Sequence, residues 1–154
     1  MAEESKDIEK WIKRLGKTHK SSGQKICPYA EKALQDQTIQ ITEARVDLLD
    51  HIVHCCHLVP IFHFDAVVLY IKYKISEKKL ANICQQASLN KLHMAILFDH
   101  PDNDGKHKGV SFSYGKLPLV IIQPLDKLKK AQEKLRKTSY YKDWQLDPED
   151  EMFY

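Results

Sequence analysis

Residues 66–75 read AVVLYIKYKI, and this stretch decides how the rest of the chain is understood. Its first half is a near-continuous run of β-branched, aliphatic and aromatic residues, too short for a core helix and bounded by Asp65 and Ser76. Such a run suits a strand covered on both faces, as in a sheet that carries helices on either side. Just upstream, residues 46–58 repeat apolar side chains at helical spacing (Leu48, Leu49, Ile52, Val53, Cys55, Cys56) and are expected to close before Pro60. Before them, residues 38–42, TIQIT, alternate and are β-branched, the signature of a half-buried strand. Strand, helix and strand in this order form a βαβ unit with a right-handed crossover.

Downstream, Ser76-Glu77 reads as a cap opening a helix to about residue 89, and 93–98 is an apolar strand. Residues 110–114 and 117–122 read as two further strands joined in a tight turn at Gly115-Lys116, and 125–138 as a final helix. At the other end, Ile8, Trp11, Ile12 and Leu15 define a helix over 5–17, ended by Gly16. A short helix is expected from Pro28, favoured in a first turn, to about residue 35. The whole predicts one compact α/β domain over residues 1–142. Its sheet is expected to be mixed and mostly parallel, with helices on both faces, and residues 143–154 to form an acidic tail.

Composition agrees. A chain of 154 residues with 43% hydrophobic and 29% charged residues is an ordinary globular domain, which excludes collagen, wholesale disorder and a disulfide mini-scaffold. No apolar stretch reaches the ~18 residues of a membrane span. The opening MAEESKDIEK lacks the apolar core of a secretion signal, and the four cysteines are irregularly spaced. Reduced thiols and a cytoplasmic location are the expectation.

Charge is segregated although the net is only +3. Residues 126–142 carry Lys127, Lys129, Lys130, Lys134, Arg136, Lys137 and Lys142 against Asp126 and Glu133, and 143–154 carry Asp143, Asp147, Glu149, Asp150 and Glu151 with no cation. Lys127, Lys130, Lys134 and Lys137, followed by Tyr140, Tyr141 and Trp144, could meet a nucleic acid, because aromatic rings interleaved with cations stack bases. The plainer reading is a solvated helix face.

Three groups could carry chemistry. On a helical wheel, Asp47, Asp50, His51, His54 and His57 share the arc opposite the apolar one. The i,i+4 and i,i+3 spacings let Asp47, His51, His54 and His57 meet at one divalent transition metal, with His63 as a further ligand from the loop; the alternative is a polar, solvated face. No H-E-x-x-H and no paired-cysteine zinc spacing accompanies them. Cys55, Cys56 and Cys84 fall on apolar arcs and read as core.

The second group is the loop 99–105, DHPDNDG. Asp99 and His100 stand at a strand end, where ligands of α/β sheets collect, and are candidate catalytic residues; an ordinary turn is the alternative. An EF-hand register fails because its twelfth position falls on Ser111, where a bidentate glutamate is needed.

Third, Cys27 precedes Pro28 at the expected helix start, where N–H groups, the helix dipole and the nearby Lys25 and Lys32 stabilise a thiolate. Cys27-Pro28-Tyr29-Ala30 resembles the Cys-Pro-Tyr-Cys turn of glutaredoxin-like proteins, with alanine in place of the second cysteine. It is also similar to the Cys-Pro-Phe-Ala signature, preceded by a tryptophan-bearing helix, of an uncharacterised bacterial family, and Trp11 matches that helix. Each resemblance spans about 30 residues. The first implies a thioredoxin-like topology, Cys27 as a monothiol catalytic residue, a strand directly before it, and Pro118 as the proline leading into a sheet strand.

Phosphate-loop, dinucleotide and nucleophile-elbow motifs are missing. Two functions follow from these groups. One is a thiol- or His/Asp-based small-molecule or redox site. The other is a non-catalytic interaction module that presents the basic helix 125–142 and the acidic tail to a protein or nucleic acid.

Overall fold

A computed structural model describes residues 2–17, 27, 29–90, 92–103, 106–107, 110–111 and 113–144. The chain runs α1 (Glu3–Leu15), α2 (Ala30–Gln35), β1 (Ile39–Glu43), α3 (Leu48–Phe62), β2 (Ala66–Tyr70), α4 (Glu77–Ser88) and β3 (Met94–Asp99). It continues through β4 (Lys106–His107), β5 (Val110–Ser111), β6 (Leu119–Pro124), α5 (Leu125–Arg136) and α6 (Tyr140–Trp144). The main sheet has the order β1-β2-β6-β3.

Strand β2 is buried along its whole length, as its composition requires. Val67 and Leu69, with Ile71 just beyond, face α3 and α4 together with Val120 and Ile122 of β6. Val68 and Tyr70 face the opposite way, with Leu119 and Ile121, against α1 and α2. Pairing Val67 with Ile122 and Leu69 with Val120 keeps each side chain on its own face. Burying each of these large aliphatic side chains contributes roughly 1.5–3 kcal/mol.

The α/β domain with a mixed sheet and helices on both faces is thus the fold, with β1, β2 and β3 running in one direction and β6 opposing them. The one parallel pairing is β1 with β2, because β6 lies between β2 and β3 and is antiparallel to both. The chain leaves β3, makes an excursion through β4 and β5, and returns as β6 alongside β3. β6 is paired on both edges, so β5 has no place beside it and pairs with β4 instead. Among the described residues the expected hairpin across Gly115-Lys116 is therefore not found, although Gly115 does hold the left-handed backbone (φ 81°) that glycine favours.

Helix ends differ in instructive ways. Ser76 caps α4 as expected, its hydroxyl accepting from Lys79 N–H at 3.1 Å. α3 runs through Pro60 to Phe62, because a proline in the last turn sacrifices a single backbone bond and the helix is anchored by buried Cys56 and Val59. α2 begins at Ala30 with Tyr29 at the N-cap, so Cys27 lies two residues before the cap rather than on it. Pro28, most of segment 18–27 and residues 145–154 of the acidic tail lie outside the described residues. The fold passes residue 142: Trp144 is fully buried and packs with Tyr140 and Tyr141 against Leu15 and Leu135. No helix among the described residues is long and apolar enough to cross a membrane.

Candidate functional site

The parallel β1-α3-β2 unit leaves a cleft along its outer edge. β1 is the outermost strand, and Gln40 and Thr42, opposite Val67 and Leu69, share the sheet face that α3 packs on. α3 sits over β2 and β6, where Ile52, Cys56 and Val59 join the core with Leu69, Val120 and Ile122. A pocket of about 440 Å³ remains between α3 and β1. Arg45, His51 and His54 line it near the start of α3; Leu58, Phe62 and Phe64 line it near the end; Cys55 and Val67 lie between. The volume falls within the range of small-ligand sites.

Its polar end is held firmly. His51 Nδ1 accepts the backbone N–H of Arg45 at 3.0 Å, and Tyr73 donates its hydroxyl to Arg45 C=O at 2.8 Å. The Arg45 guanidinium donates to both oxygens of Asp47, at 3.1 and 3.2 Å. Because Nδ1 is an acceptor, the neutral His51 ring carries its proton on Nε2. Burial, followed by the Arg45 charge, holds the imidazole below its ordinary pKa. Arg45 is half exposed at the rim and retains N–H donors beyond those Asp47 takes. At the other end Phe62 is 59% exposed while stacked on Phe64, with ring centroids 5.6 Å apart. Burial raises the Cys55 thiol, so it stays protonated at neutral pH and acts as a small apolar wall.

The residues expected to form a metal site do not converge. His51 turns to the Arg45 amide, Asp47 grips the Arg45 side chain, and exposed His57 lies outside the cleft. Only His51 and His54 of that set share the pocket. His63 lines a neighbouring pocket of about 790 Å³ with Leu92, Met94 and Lys127. Among the described residues no three His, Cys, Asp or Glu side chains come together as a ligand set.

Asp99 and His100 are engaged as latches. Asp99 accepts from the Ser113 hydroxyl at 2.6 Å and from Tyr114 N–H at 2.8 Å, fastening the returning chain to the end of β3. Buried His100 bonds Ile75 C=O through Nε2 at 2.8 Å and accepts Asp102 N–H on Nδ1 at 3.1 Å, so backbone groups occupy both ring nitrogens. Half-buried Cys27 packs with Trp11, Ala30 and Tyr114 on the opposite face of the sheet from His54, and its N–H donates to Leu15 C=O. Cys27, His54 and His100 thus occupy three separate places. The strand that the glutaredoxin-type turn implies before Cys27 is not among the described residues, where α1 precedes it.

The basic helix keeps Lys127, Lys130, Lys134 and Lys137 exposed, with Lys127 tied to Asp65 at 2.9 Å. The rings expected to stack bases, Tyr140, Tyr141 and Trp144, are buried among themselves. Sequence reasoning missed Arg45, Phe62 and Phe64. The available signal was the alternation of Ile39 and Ile41 with Gln40 and Thr42, which marks a strand with one uncovered face.

Fold and cleft define a single α/β domain with a ligand-sized groove at a parallel sheet edge. Compared with known proteins, the chain matches no family model, no curated protein and no solved structure.

Proposed function

We propose that the protein binds an elongated, carboxylate-bearing ligand in the α3–β1 cleft, acting in the cytoplasm as a binding protein rather than through thiol or redox chemistry. The observation that carries this reading is the polarity gradient along one groove. A guanidinium and a neutral imidazole stand at one end, and a stacked aromatic pair, Phe62 exposed and Phe64 partly buried, stands at the other. Charge-assisted bonds from Arg45 suit a carboxylate, and His54 stands beside it at the rim. The apolar end offers Leu58, Phe62 and Phe64 to an aliphatic or aromatic body. Thiol chemistry finds no support in the cleft, since its one cysteine is a protonated, buried thiol.

The test is an amide-shift titration with 3-phenylpropionate and octanoate. Shifts should concentrate at residues 40–45, 51–55 and 62–64. Phe62→Ala should weaken binding, and it removes a ring that is more exposed than buried. Titrations that leave these residues unmoved at millimolar ligand would refute the reading.

A further inference from the structure

Among the described residues, the cleft lies directly beside a strand edge that no other strand pairs. β1 bonds to β2 on one side only, and every second peptide group of an outer strand points away from its neighbour. Among the described residues, no backbone group bonds the outer side of 39–43. At roughly 3.3 Å per residue the strand offers about 16 Å of free edge. The groove runs the same way, with Arg45 beyond the carboxyl end of β1, and Gln40 and Thr42 of the strand also line it.

We infer that the ligand of this cleft is an extended peptide with a free C-terminal carboxylate, adding to β1 as a parallel fifth strand; the inference rests on the cleft being the binding site. Three features carry it, and each fits a different part of such a peptide. The open edge of β1 takes the peptide's backbone N–H and C=O groups. The groove beside it takes alternate side chains, because side chains on one face of a strand recur every two residues. Arg45, held in place through its own backbone by His51 and Tyr73, takes the terminal carboxylate. The position of Arg45 fixes the direction: a carboxylate beyond Glu43 requires a peptide running parallel to β1. The last residue and those two and four before it then face α3, and the most distant reaches the Leu58, Phe62 and Phe64 end. A small amphipathic acid would use the groove and Arg45 but leave the strand edge empty.

The experiment compares four probes on the full chain. These are an acetylated hexapeptide with leucine at alternate positions and a free carboxylate, its C-terminal amide, a set of single backbone N-methyl derivatives, and 3-phenylpropionate. The free acid should bind, with protection of β1 amides from hydrogen exchange, and the amide should bind at least tenfold more weakly. N-methylation should weaken binding tenfold or more at alternate residues and be tolerated between them. Arg45→Gln, at an exposed side chain, should erase the difference between acid and amide. A flat N-methyl series, or equal binding of acid and amide, would overturn strand addition; 3-phenylpropionate that still mapped to the cleft would leave the binding site itself intact. Loss of all four would remove both readings. Concentration-dependent dimerisation with protection confined to β1 would identify a second copy of the chain as the occupant and overturn the peptide assignment.

Discussion

His51 should make folding stability depend on pH, and the size of the effect follows from its contacts. The ring is 9% exposed, and Nδ1 accepts from Arg45 N–H. A second proton would place N–H against N–H, lose that bond, and charge a buried ring beside a guanidinium. Asp47 opposes these effects and His54 adds to them, but burial and Arg45 dominate, and the folded pKa lies below the ordinary value. In the unfolded chain the ring titrates near ~6.5. As pH falls below that value, the unfolded state binds the proton first. The stability contributed by neutral His51 is therefore present above ~6.5 and is lost on acidification, until the folded ring also protonates. One proton changes stability by at most ~1.4 kcal/mol per pH unit, and with the unfolded ring titrating near ~6.5 the whole step from pH 7.5 to 5.5 can remove no more than ~1.4 kcal/mol through this residue. In a domain of this length each kcal/mol lost is roughly 2–4 °C in Tm. The comparison is His51→Gln, whose side-chain oxygen can accept from Arg45 N–H without titrating. Urea and thermal unfolding at pH 7.5, 6.5 and 5.5 should give a steeper pH slope for the native chain, with the other histidines cancelling between the two proteins. Parallel slopes would refute the assignment.

Limited iodoacetamide labelling with peptide mapping should modify Cys27 first, since burial pushes the Cys56 and Cys84 thiols up to about 11 and about 12 while Cys27 is half exposed; early labelling of Cys84 would contradict this order. Asp99→Asn can keep only part of the Ser113 and Tyr114 grip and should cost about 1.5–3 kcal/mol, read from the urea midpoint. An unchanged midpoint would mean the latch contributes nothing to stability. Ser76→Ala removes the α4 cap and should cost about 1 kcal/mol, in contrast to Ser88→Ala in the last turn of the same helix.

Much of the architecture is legible because it is local. The apolar run at Ala66–Tyr70 and the spacing of Ile8, Trp11 and Ile12 reflect burial that each segment meets by itself. Strand partners are not local. Nothing in 119–124 says that it will part β2 from β3, and that insertion sends β5 to pair with β4. The site was half legible for the same reason. A wheel drawn on an isolated helix assigns His51 to solvent, whereas the turn before α3 folds over it and supplies an N–H donor. Asp99 and His100 look like chemistry because polar groups at strand ends often are. Their bonds to Ser113, Tyr114 and Ile75 depend on segments 14 to 25 residues away. α6 was invisible because five residues are too few to show a helical period.

The asymmetry of β1 connects the fold to the proposed function. Ile39 and Ile41 pack beneath α1 and α2, so that face of the strand is committed to the core. On the other face α3 covers β2 and β6, and the two residues left beside it are Gln40 and Thr42. Larger apolar side chains at these positions would fill the gap under α3 and complete a second covered face, at the expense of the cleft. Polar ones keep it open, and an edge strand with a polar inner face is also less prone to indiscriminate pairing. The same unit fixes Arg45 through three contacts, from His51, Tyr73 and Asp47, before any ligand arrives. An open edge beside a guanidinium whose backbone is already fixed lowers the ordering cost of binding on the protein's side, and that is why we favour the cleft over the exposed lysine face of α5 as the recognition surface.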